Sequence, residues 1–322
     1  MARFLIRRTL QGLFVLWLMT VTVFLIFFVG PVPASVARTL AGRQATPAQV
    51  AQVSHRLLLD RPIPVQYGHF IWLLLHGNLG YDYYHSQSVN SIIATAFPIT
   101  LSLVIGASIL WLTMGVLSGI VSAVKTRSIW DRTFTVLALL FYSMPTFVLG
   151  FLLILGLYYE LTIHHINIFP APGTWVPFTT DPAQWARGLI LPWFTLALVS
   201  AATYTRLTRG SMLDVSGEDY IRTARSKGMP GRRVIFKHNL RASLTPVVTQ
   251  FGLDVGTLIG GAIITETVFN LPGLGYTAVV AIGQQDLPVV IGVVIVASAG
   301  VVIANVCVDI LYAVLDPRVR LN

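Results

Sequence analysis

Charged side chains are scarce in this sequence. They make up 11% of its 322 residues, whereas hydrophobic residues make up 55% and the mean hydropathy is +0.73. Soluble domains carry about 25% charged residues. The composition therefore excludes an ordinary soluble domain and indicates a membrane protein.

Cysteine is almost absent, and the sequence patterns of common catalytic sites are missing. The single cysteine, Cys307, excludes an internal disulfide and a thiolate metal site, so we expect it to be a packing residue. None of the three lysines lies in a G-x-x-x-x-G-K-[ST] phosphate loop. No H-E-x-x-H or G-x-S-x-G pattern occurs, and the His164–His165 dipeptide is a weak metal candidate because adjacent side chains diverge. We expect no catalytic residue, no metal and no cofactor in this chain.

The apolar residues form runs of membrane-spanning length. Residues 9–29 follow three arginines and exceed the 7–15 residues of a signal-peptide core, so they predict a first span with the N-terminus inside. Further spans are predicted at 98–124, 133–159, 188–205, 244–265 and 287–312. The predicted fold class is an all-α integral membrane protein with six transmembrane helices. Its parts are a tail and first span at 1–30, an extracytoplasmic segment at 31–97, a five-helix core at 98–313 and a tail at 314–322.

Proline and glycine within the predicted spans suggest how the helices bend and pack. Pro98 suits the first turn of the second span, and Pro145 is predicted to kink the third. Gly115 and Gly119 form a small-xxx-small pair suited to close helix contact. The fifth span carries three glycines on one face, which predicts another packing surface: Gly252, Gly256 and Gly260.

One carboxylate falls inside the predicted fifth span. Asp254 lies about ten residues into the span, near the middle of a bilayer at 1.5 Å per residue. A charge there costs at least ~2.5–3.5 kcal/mol, so it must face a cavity or a partner. Two interpretations stay open at this point. Asp254 lines a translocation path, or it is a carboxyl hydrogen-bonded within the bundle.

The distribution of positive charge predicts the orientation of the spans. Only five of the 22 lysines and arginines fall on the long segments assigned outside: Arg38, Arg43, Arg56, Arg61 and Arg187. This bias predicts that both termini are cytoplasmic. The net charge of +9 could suggest nucleic acid, but the cations adjoin apolar spans and no aromatic-basic RNA-binding pattern occurs. We therefore expect contact with membrane lipid and none with nucleic acid.

The largest cluster of positive charge, nine of the 22 lysines and arginines, lies in one loop that is predicted to be cytoplasmic, at 206–243. Ser216, three residues before Asp219, matches a helix N-cap. Gly228 and Pro230 form a helix stop, with the glycine in the left-handed conformation. A second short amphipathic helix is predicted from Pro230. The loop is thus expected to fold as two short helices that meet at a glycine.

The run from Asp219 to Gly228 resembles the EAA loop of ABC-importer permeases, in the form of the oligopeptide and dipeptide branch. Ala224 and Gly228 match the second alanine and the glycine of the general pattern, whereas Arg222 and Thr223 replace its Glu-Ala. The resemblance implies a coupling helix that docks on an ATPase subunit. We expect the cations to carry the coupling and the apolar face to supply much of the docking area. The implied coupling residues are Asp219, Tyr220, Ile221, Arg222, Ala224, Arg225, Lys227 and Gly228.

The run from Glu266 to Gly275 resembles the Glu-x-Val-Phe-x-x-Pro-Gly-x-Gly signature of the same family. Pro272, Gly273 and Gly275 force a tight turn, which is expected to shape an outer gate. With Asp254 and Glu266 they form the predicted path or gate. Two pieces of the outer segment, at 59–67 and 77–80, and the tail at 316–322 also resemble these permeases.

The resemblance covers nearly the whole chain and implies a type I importer permease for oligopeptides or dipeptides in the cytoplasmic (inner) membrane. Such a permease pairs with a second homologous permease, two ATPase subunits that bind ATP and Mg, and an extracytoplasmic substrate-binding protein. Nickel and glutathione permeases share these patterns and stay open as alternatives. A proton-coupled secondary transporter would instead use Asp254, Glu266 and Asp309 as a relay. A polybasic segment lying on anionic lipid is the simplest alternative for the loop.

Overall fold

The computed structural model describes residues 2–29, 37–38, 45–56, 58–82 and 85–315. These residues are helical almost throughout, which confirms the predicted fold class. The first half contains α1 (Ala2–Phe24, extended by a π-helical turn Leu25–Val29), α2 (Pro47–Arg56), α3 (Ile63–Leu75), β1 (Tyr81–Asp82), β2 (Gln87–Ser88), α4 (Val89–Val124), α5 (Ile129–Ser143) and α6 (Thr146–Leu153). The second half contains a π-helical turn (Ile154–Tyr159), α7 (Glu160–Ile163), α8 (Pro182–Ser216), α9 (Asp219–Ser226), α10 (Gly231–Arg233), a π-helical turn (Val234–Asn239), α11 (Leu240–Gly261), α12 (Ile263–Val268), α13 (Leu274–Gln284) and α14 (Leu287–Leu315).

Five helical stretches among the described residues are long and apolar enough to cross a membrane. They are Ile6–Val29, Val89–Val124, Thr146–Ile163, Pro182–Ser216 and Leu287–Val308. The predicted fifth span, 244–265, falls mostly on α11, which is not one of these five stretches. The polar residues Arg241, Gln250 and Asp254 lower the mean hydropathy of α11. The count of six spans therefore stays a prediction.

The predicted start of the second span is wrong. Helix α4 begins at Val89, so that Pro98 lies inside the helix and not in its first turn. An internal proline costs one backbone hydrogen bond. Here the turns before it are held by burial, because Val89 and Ile93 pack in an apolar cluster with Val289 of α14. Tertiary packing overrides the local helix-breaking signal.

The predicted third span is two helices, not one kinked helix. Met144 is extended, with φ −87° and ψ 128°, and Pro145 takes the N-cap position of α6. A residue that precedes proline is driven out of the helical region by the proline ring. The predicted fourth span is also too short, since α8 continues to Ser216 and carries the first part of the basic loop.

The described chain divides into two compact units. The first comprises Met1–Leu101, Ile259–Thr267 and Pro272–Val306. Its apolar core joins α1 to the segment that follows it, through Val23, Val53 and Leu59. The Tyr67 hydroxyl also shares a 3.0 Å hydrogen bond with Thr20. The described part of the predicted extracytoplasmic segment therefore packs on the first span.

The second unit comprises Ser102–Leu258, Val268–Leu271 and Cys307–Asn322. Helices α4 and α8 approach each other closely at the two glycines of the predicted small-xxx-small pair. A Cβ on Gly115 would collide with Tyr204. A Cβ on Gly119 would lie 2.6 Å from the Cβ of Thr208 and 2.9 Å from the carbonyl oxygen of Thr205. Only glycine allows this approach.

We expect Gly119→Ala to lower the stability of the protein. The added methyl group has no room against α8, and overpacking of this kind costs about 1–3 kcal/mol. Gly156→Ala is the matched control, because nothing lies within 4 Å of a Cβ at Gly156 and alanine favours helix. The apparent thermal unfolding midpoint of the purified protein should fall for Gly119→Ala only. Equal midpoints for the two variants would contradict the close contact.

Candidate functional site

The basic loop folds into a compact projection, which we call the knob and define as Glu218–Asn239. Helix α9 is its first helix, and it ends at Gly228, whose φ is +71°. This is the left-handed conformation predicted for the glycine. The next helix begins after Pro230 as predicted, but it does not stop, because α10, the π-helical turn and α11 follow one another without a break. The knob is therefore continuous with a long helix.

The predicted N-cap of α9 is wrong. Glu218 takes the cap position, and no side chain bonds to the first backbone N–H groups there. Ser216 is instead the last residue of α8, and its hydroxyl donates to the carbonyl oxygen of Met212. The pattern of serine followed by an acidic residue misled the prediction, because α8 extends further than its apolar run indicates.

The two sides of α9 have different environments. Ile221 and Ala224 are buried against Val234 in the knob's own apolar core. The prediction that they supply docking area is wrong for this reason. Tyr220 is 46% exposed. The charged side chains Asp219, Arg222, Arg225 and Lys227 are also exposed, as are the hydroxyl residues Thr223 and Ser226. The surface available to a partner is thus polar and mostly charged, with one tyrosine.

The base of the knob is joined to the end of α8 by two residues that the sequence did not single out, Asn239 and Ser211. Asn239, 4% exposed, donates to the carbonyl oxygen of Met212 at 3.1 Å and to the Ser216 hydroxyl at 2.6 Å. The Ser211 hydroxyl donates to the carbonyl oxygen of Ser243 at 3.0 Å. Asn239 is the one asparagine in the amphipathic run after Pro230, and this was the only sequence signal for a buried polar contact here.

The predicted gate turn is built around Glu266, which is fully buried. Its Oε1 accepts from the Thr100 hydroxyl at 2.6 Å, and its Oε2 accepts from the Tyr276 N–H at 2.8 Å. The Thr100 oxygen in turn accepts from the Leu274 N–H at 2.8 Å. The carboxylate therefore satisfies the first turn of α13 and fixes the start of that helix.

The two glycines of the gate turn leave room for this carboxyl group. A Cβ on Gly273 would collide with the Glu266 carboxyl, and a Cβ on Gly275 would lie 2.6 Å from Ile263 Cγ1 and 3.1 Å from Glu266 Oε2. The φ of Gly273 is −79°, so close approach and not backbone strain requires glycine there. Pro272 is exposed. Gly273 thus leaves room for the Glu266 carboxyl, whereas Gly275 leaves room mainly for Ile263.

Asp254 has a hydrogen-bond donor on each carboxyl oxygen. The Tyr204 hydroxyl donates to Oδ2 at 2.8 Å, and the Gln250 amide donates to Oδ1 at 2.8 Å. Tyr204 is fully buried and lies beside Trp111, with ring centroids 6.2 Å apart. This favours the interpretation of Asp254 as a carboxyl bonded within the bundle. It is half-buried, and its contact with a substrate stays a prediction.

The predicted packing glycines of α11 are only partly described. Gly252 lies against Val308 of α14, whose side chain a Cβ would strike. Gly256 is buried. The surroundings of Gly260, the side chain of Asp309 and the tail at 316–322 lie outside the described residues.

The short hairpin carries a polar cluster that sequence reasoning missed. Asp82 is fully buried, Asp286 is 7% exposed, and the ligand atoms of these two and of His85 all lie within 4.8 Å of one another. The His85 Nδ1 to Asp82 Oδ2 distance is 2.6 Å. Two ligands of one zinc ion, each about 2.0–2.2 Å from it in tetrahedral geometry, stand further apart than this. We therefore interpret the cluster as hydrogen-bonded groups.

The cluster borders a cavity beside the gate turn. The cavity has a volume of about 220 Å³ and is lined in part by Asp82, Asp286, Pro272 and Tyr276. Burial and the neighbouring Asp82 carboxyl raise the pKa of Asp286 to about 7. The Asp286 side chain thus titrates near neutral pH at a cavity that is also lined by Pro272 of the predicted gate turn.

The apolar helices define a multi-pass membrane protein, and comparison with known families gives its class. Residues 115–321 match the family described as "Binding-protein-dependent transport system inner membrane component", and residues 1–104 match the one described as "Binding-prot-dependent transport system membrane comp, N-term". The chain belongs to this family, and it is a permease subunit of an ABC importer, a transport component and not a catalytic one.

Individual relatives cover the chain from end to end. It is 38% identical to the dipeptide transport system permease protein DppB of Escherichia coli (strain K12), over 99% of each chain. It is also 38% identical to a putative peptide transport system permease protein of Brucella abortus (strain 2308), over 99% of each chain. A putative peptide permease protein of Brucella suis biovar 1 is 36% identical over the full length of both.

Proposed function

We propose that this chain moves oligopeptides or dipeptides inward across the cytoplasmic membrane by alternating access. The observation that carries the proposal is the end-to-end likeness to permeases named for dipeptides and peptides. The chain works beside a second homologous permease and receives its substrate from an extracytoplasmic binding protein. Both of its termini lie in the cytoplasm, and ATP and Mg act in two partner ATPase subunits.

The knob is the part through which the ATPases act. Its exposed tyrosine and cations, Tyr220, Arg222, Arg225 and Lys227, form a polar docking surface. Ile221 and Ala224 contribute by holding α9 against Val234. The hydrogen bonds of Asn239 to the end of α8 make the knob move with that helix. Closure of the ATPases therefore displaces a span, and the gate turn around Glu266 responds on the outer side.

The proposal is tested by substrate-stimulated ATP hydrolysis in the reconstituted complex with its binding protein. Dipeptides, longer peptides, nickel and glutathione are compared as stimulants. Stimulation of ATP hydrolysis by peptides supports the proposal. If only nickel or only glutathione stimulates hydrolysis, the proposed substrate class is wrong, but the importer mechanism is supported. A complex without any associated ATPase activity contradicts the importer mechanism itself and favours a proton-coupled carrier.

Gly228 tests the coupling role of the knob. We expect Gly228→Val to reduce transport more than ATP hydrolysis, because a β-branched residue in the left-handed conformation costs roughly 1–2 kcal/mol and distorts the end of α9. Gly228→Asn is the matched control, since asparagine tolerates this conformation and nothing lies within 4 Å of a Cβ there. Equal transport per ATP in the two variants would contradict a role for this turn.

A further inference from the structure

A single carboxylate ties three elements of the second unit together. Asp131, 5% exposed, lies in the first turn of α5. It accepts a two-point contact from Arg209 of α8, with Nε to Oδ1 at 2.8 Å and Nη2 to Oδ2 at 3.1 Å. The Ser122 hydroxyl of α4 donates to Oδ1, and the Arg127 N–H donates to Oδ2 at 2.9 Å. Helices α4, α5 and α8 thus meet at one group.

The carboxylate is held in its charged form. The hydrogen bond from the Arg209 guanidinium is the largest influence and, with that from Ser122, keeps the pKa of Asp131 well below its usual range against the opposing effect of burial. A planar guanidinium that meets a carboxylate at two points fixes direction as well as distance. The contact therefore defines how α8 is rotated and placed against α5.

Arg209 lies close to the knob along the same helix. Ser216 lies seven positions further along α8, which is about two helical turns. Asn239 of the knob donates to the carbonyl oxygen of Met212, which lies between these two residues, and to the hydroxyl of Ser216. A displacement of the knob therefore reaches Arg209 through two turns of hydrogen-bonded helix.

We propose that Arg209 and Asp131 are positioning residues that carry the movement of the knob from α8 to α4 and α5. This inference rests on the proposed function, because it assumes that ATPase subunits move the knob. The Ser122 hydroxyl and the Arg127 N–H also hold the Asp131 carboxylate, which links it to the end of α4 and to the turn between α4 and α5. The geometry of the Arg209–Asp131 ion pair sets how much substrate is moved for each ATP hydrolysed.

The test is the number of peptides transported per ATP hydrolysed in the assembled, reconstituted complex. Arg209→Lys keeps the charge and loses the two-point contact, and Asp131→Asn keeps the shape and loses the charge. We expect each variant to lower the ratio about fivefold or more, the range of ordinary coupling between sites, while ATP hydrolysis continues. A merely structural role would lower transport, hydrolysis and the amount of complex together and leave the ratio unchanged.

Ser118→Ala is the matched control. It removes the 2.7 Å hydroxyl contact between Ser118 and Thr205, which also joins α4 to α8 but is uncharged, and the ratio should stay at the wild-type value. An unchanged ratio in Arg209→Lys and Asp131→Asn, or loss of the assembled complex in both, overturns the proposal. A wild-type complex without substrate-stimulated hydrolysis overturns the proposed function first, and the inference with it.

Discussion

Replacing Glu266 with alanine is expected to destabilise the protein more than any other single change considered above. The substitution leaves the buried Thr100 hydroxyl and the partly buried Tyr276 N–H without their acceptor. Each buried unsatisfied group costs about 1–3 kcal/mol, and the vacated volume adds a cavity term. The apparent unfolding midpoint of the purified protein measures the loss. Glu160→Ala is the matched control, because Glu160 is exposed and surface changes stay within about 0.5 kcal/mol.

A second substitution shows whether the glycine spacing exists for this carboxyl group. Gly273→Ala alone should be destabilising, because the new Cβ collides with the Glu266 carboxyl. In the Glu266→Ala background the same change should cost less, since the space is empty. The double-mutant cycle should therefore be non-additive, as expected for groups in contact. Additive losses would contradict the proposed reason for the Glu266–Gly273 pattern.

Stability is expected to fall as the pH rises from about 5 towards 7, through the titration of Asp286. Its pKa is about 7 in the folded protein, raised by burial and by Asp82, against an ordinary value of 3.8. Between these two values the folded protein holds a proton that the unfolded chain releases, so stability declines by up to about 1.4 kcal/mol per pH unit. Above pH 7 Asp286 is ionised in both the folded and the unfolded state, so its contribution to the free energy of unfolding no longer changes with pH. The partners that face Asp286 in this cluster are Asp82 and His85.

The apparent unfolding midpoint between pH 5 and 8 tests this prediction. Asp286→Asn should flatten the slope, because the amide does not titrate. Asp181→Asn is the control, since the Gln184 N–H and, to a smaller extent, the Ala183 N–H lower the pKa of Asp181, and the stability that this carboxylate contributes is lost only at acid pH. A slope that persists in Asp286→Asn would show that another group is responsible.

The features that were predictable from sequence are those with a strong local cause. The apolar runs at 9–29 and 287–312 were long enough to be unambiguous, and both are helices. Gly228 was identified because a helix end followed by Pro230 needs a left-handed residue, and its φ is +71°. The run from Glu266 to Gly275 is predictable as a family signature with a tight turn, and the structure adds the contacts of the Glu266 carboxyl group that explain it.

The features that were missed depend on contacts between distant residues. Pro98 and Pro145 carry the same local signal, yet Pro98 lies inside α4 and Pro145 precedes α6. The turns before Pro98 are held in an apolar cluster with α14, which the sequence near Pro98 does not reveal. Asp131 and Arg209 are 78 positions apart, and Asp82 and Asp286 lie on separate segments. Ile221 is on the apolar side of α9 as expected, but a residue from the next helix covers it. The periodicity of a sequence predicts which face of a helix is apolar, but it does not predict which residues pack against that face.

Helix α8 is longer than a membrane is thick. Its 35 residues extend roughly 52 Å at 1.5 Å per residue, whereas the hydrocarbon core of a bilayer measures about 30 Å. Lipid compositions that change this thickness by a few Å shift the lipid boundary along the helix without reaching either of its ends. The Asp181 cap at one end and the knob at the other therefore keep their geometry in bilayers of different thickness.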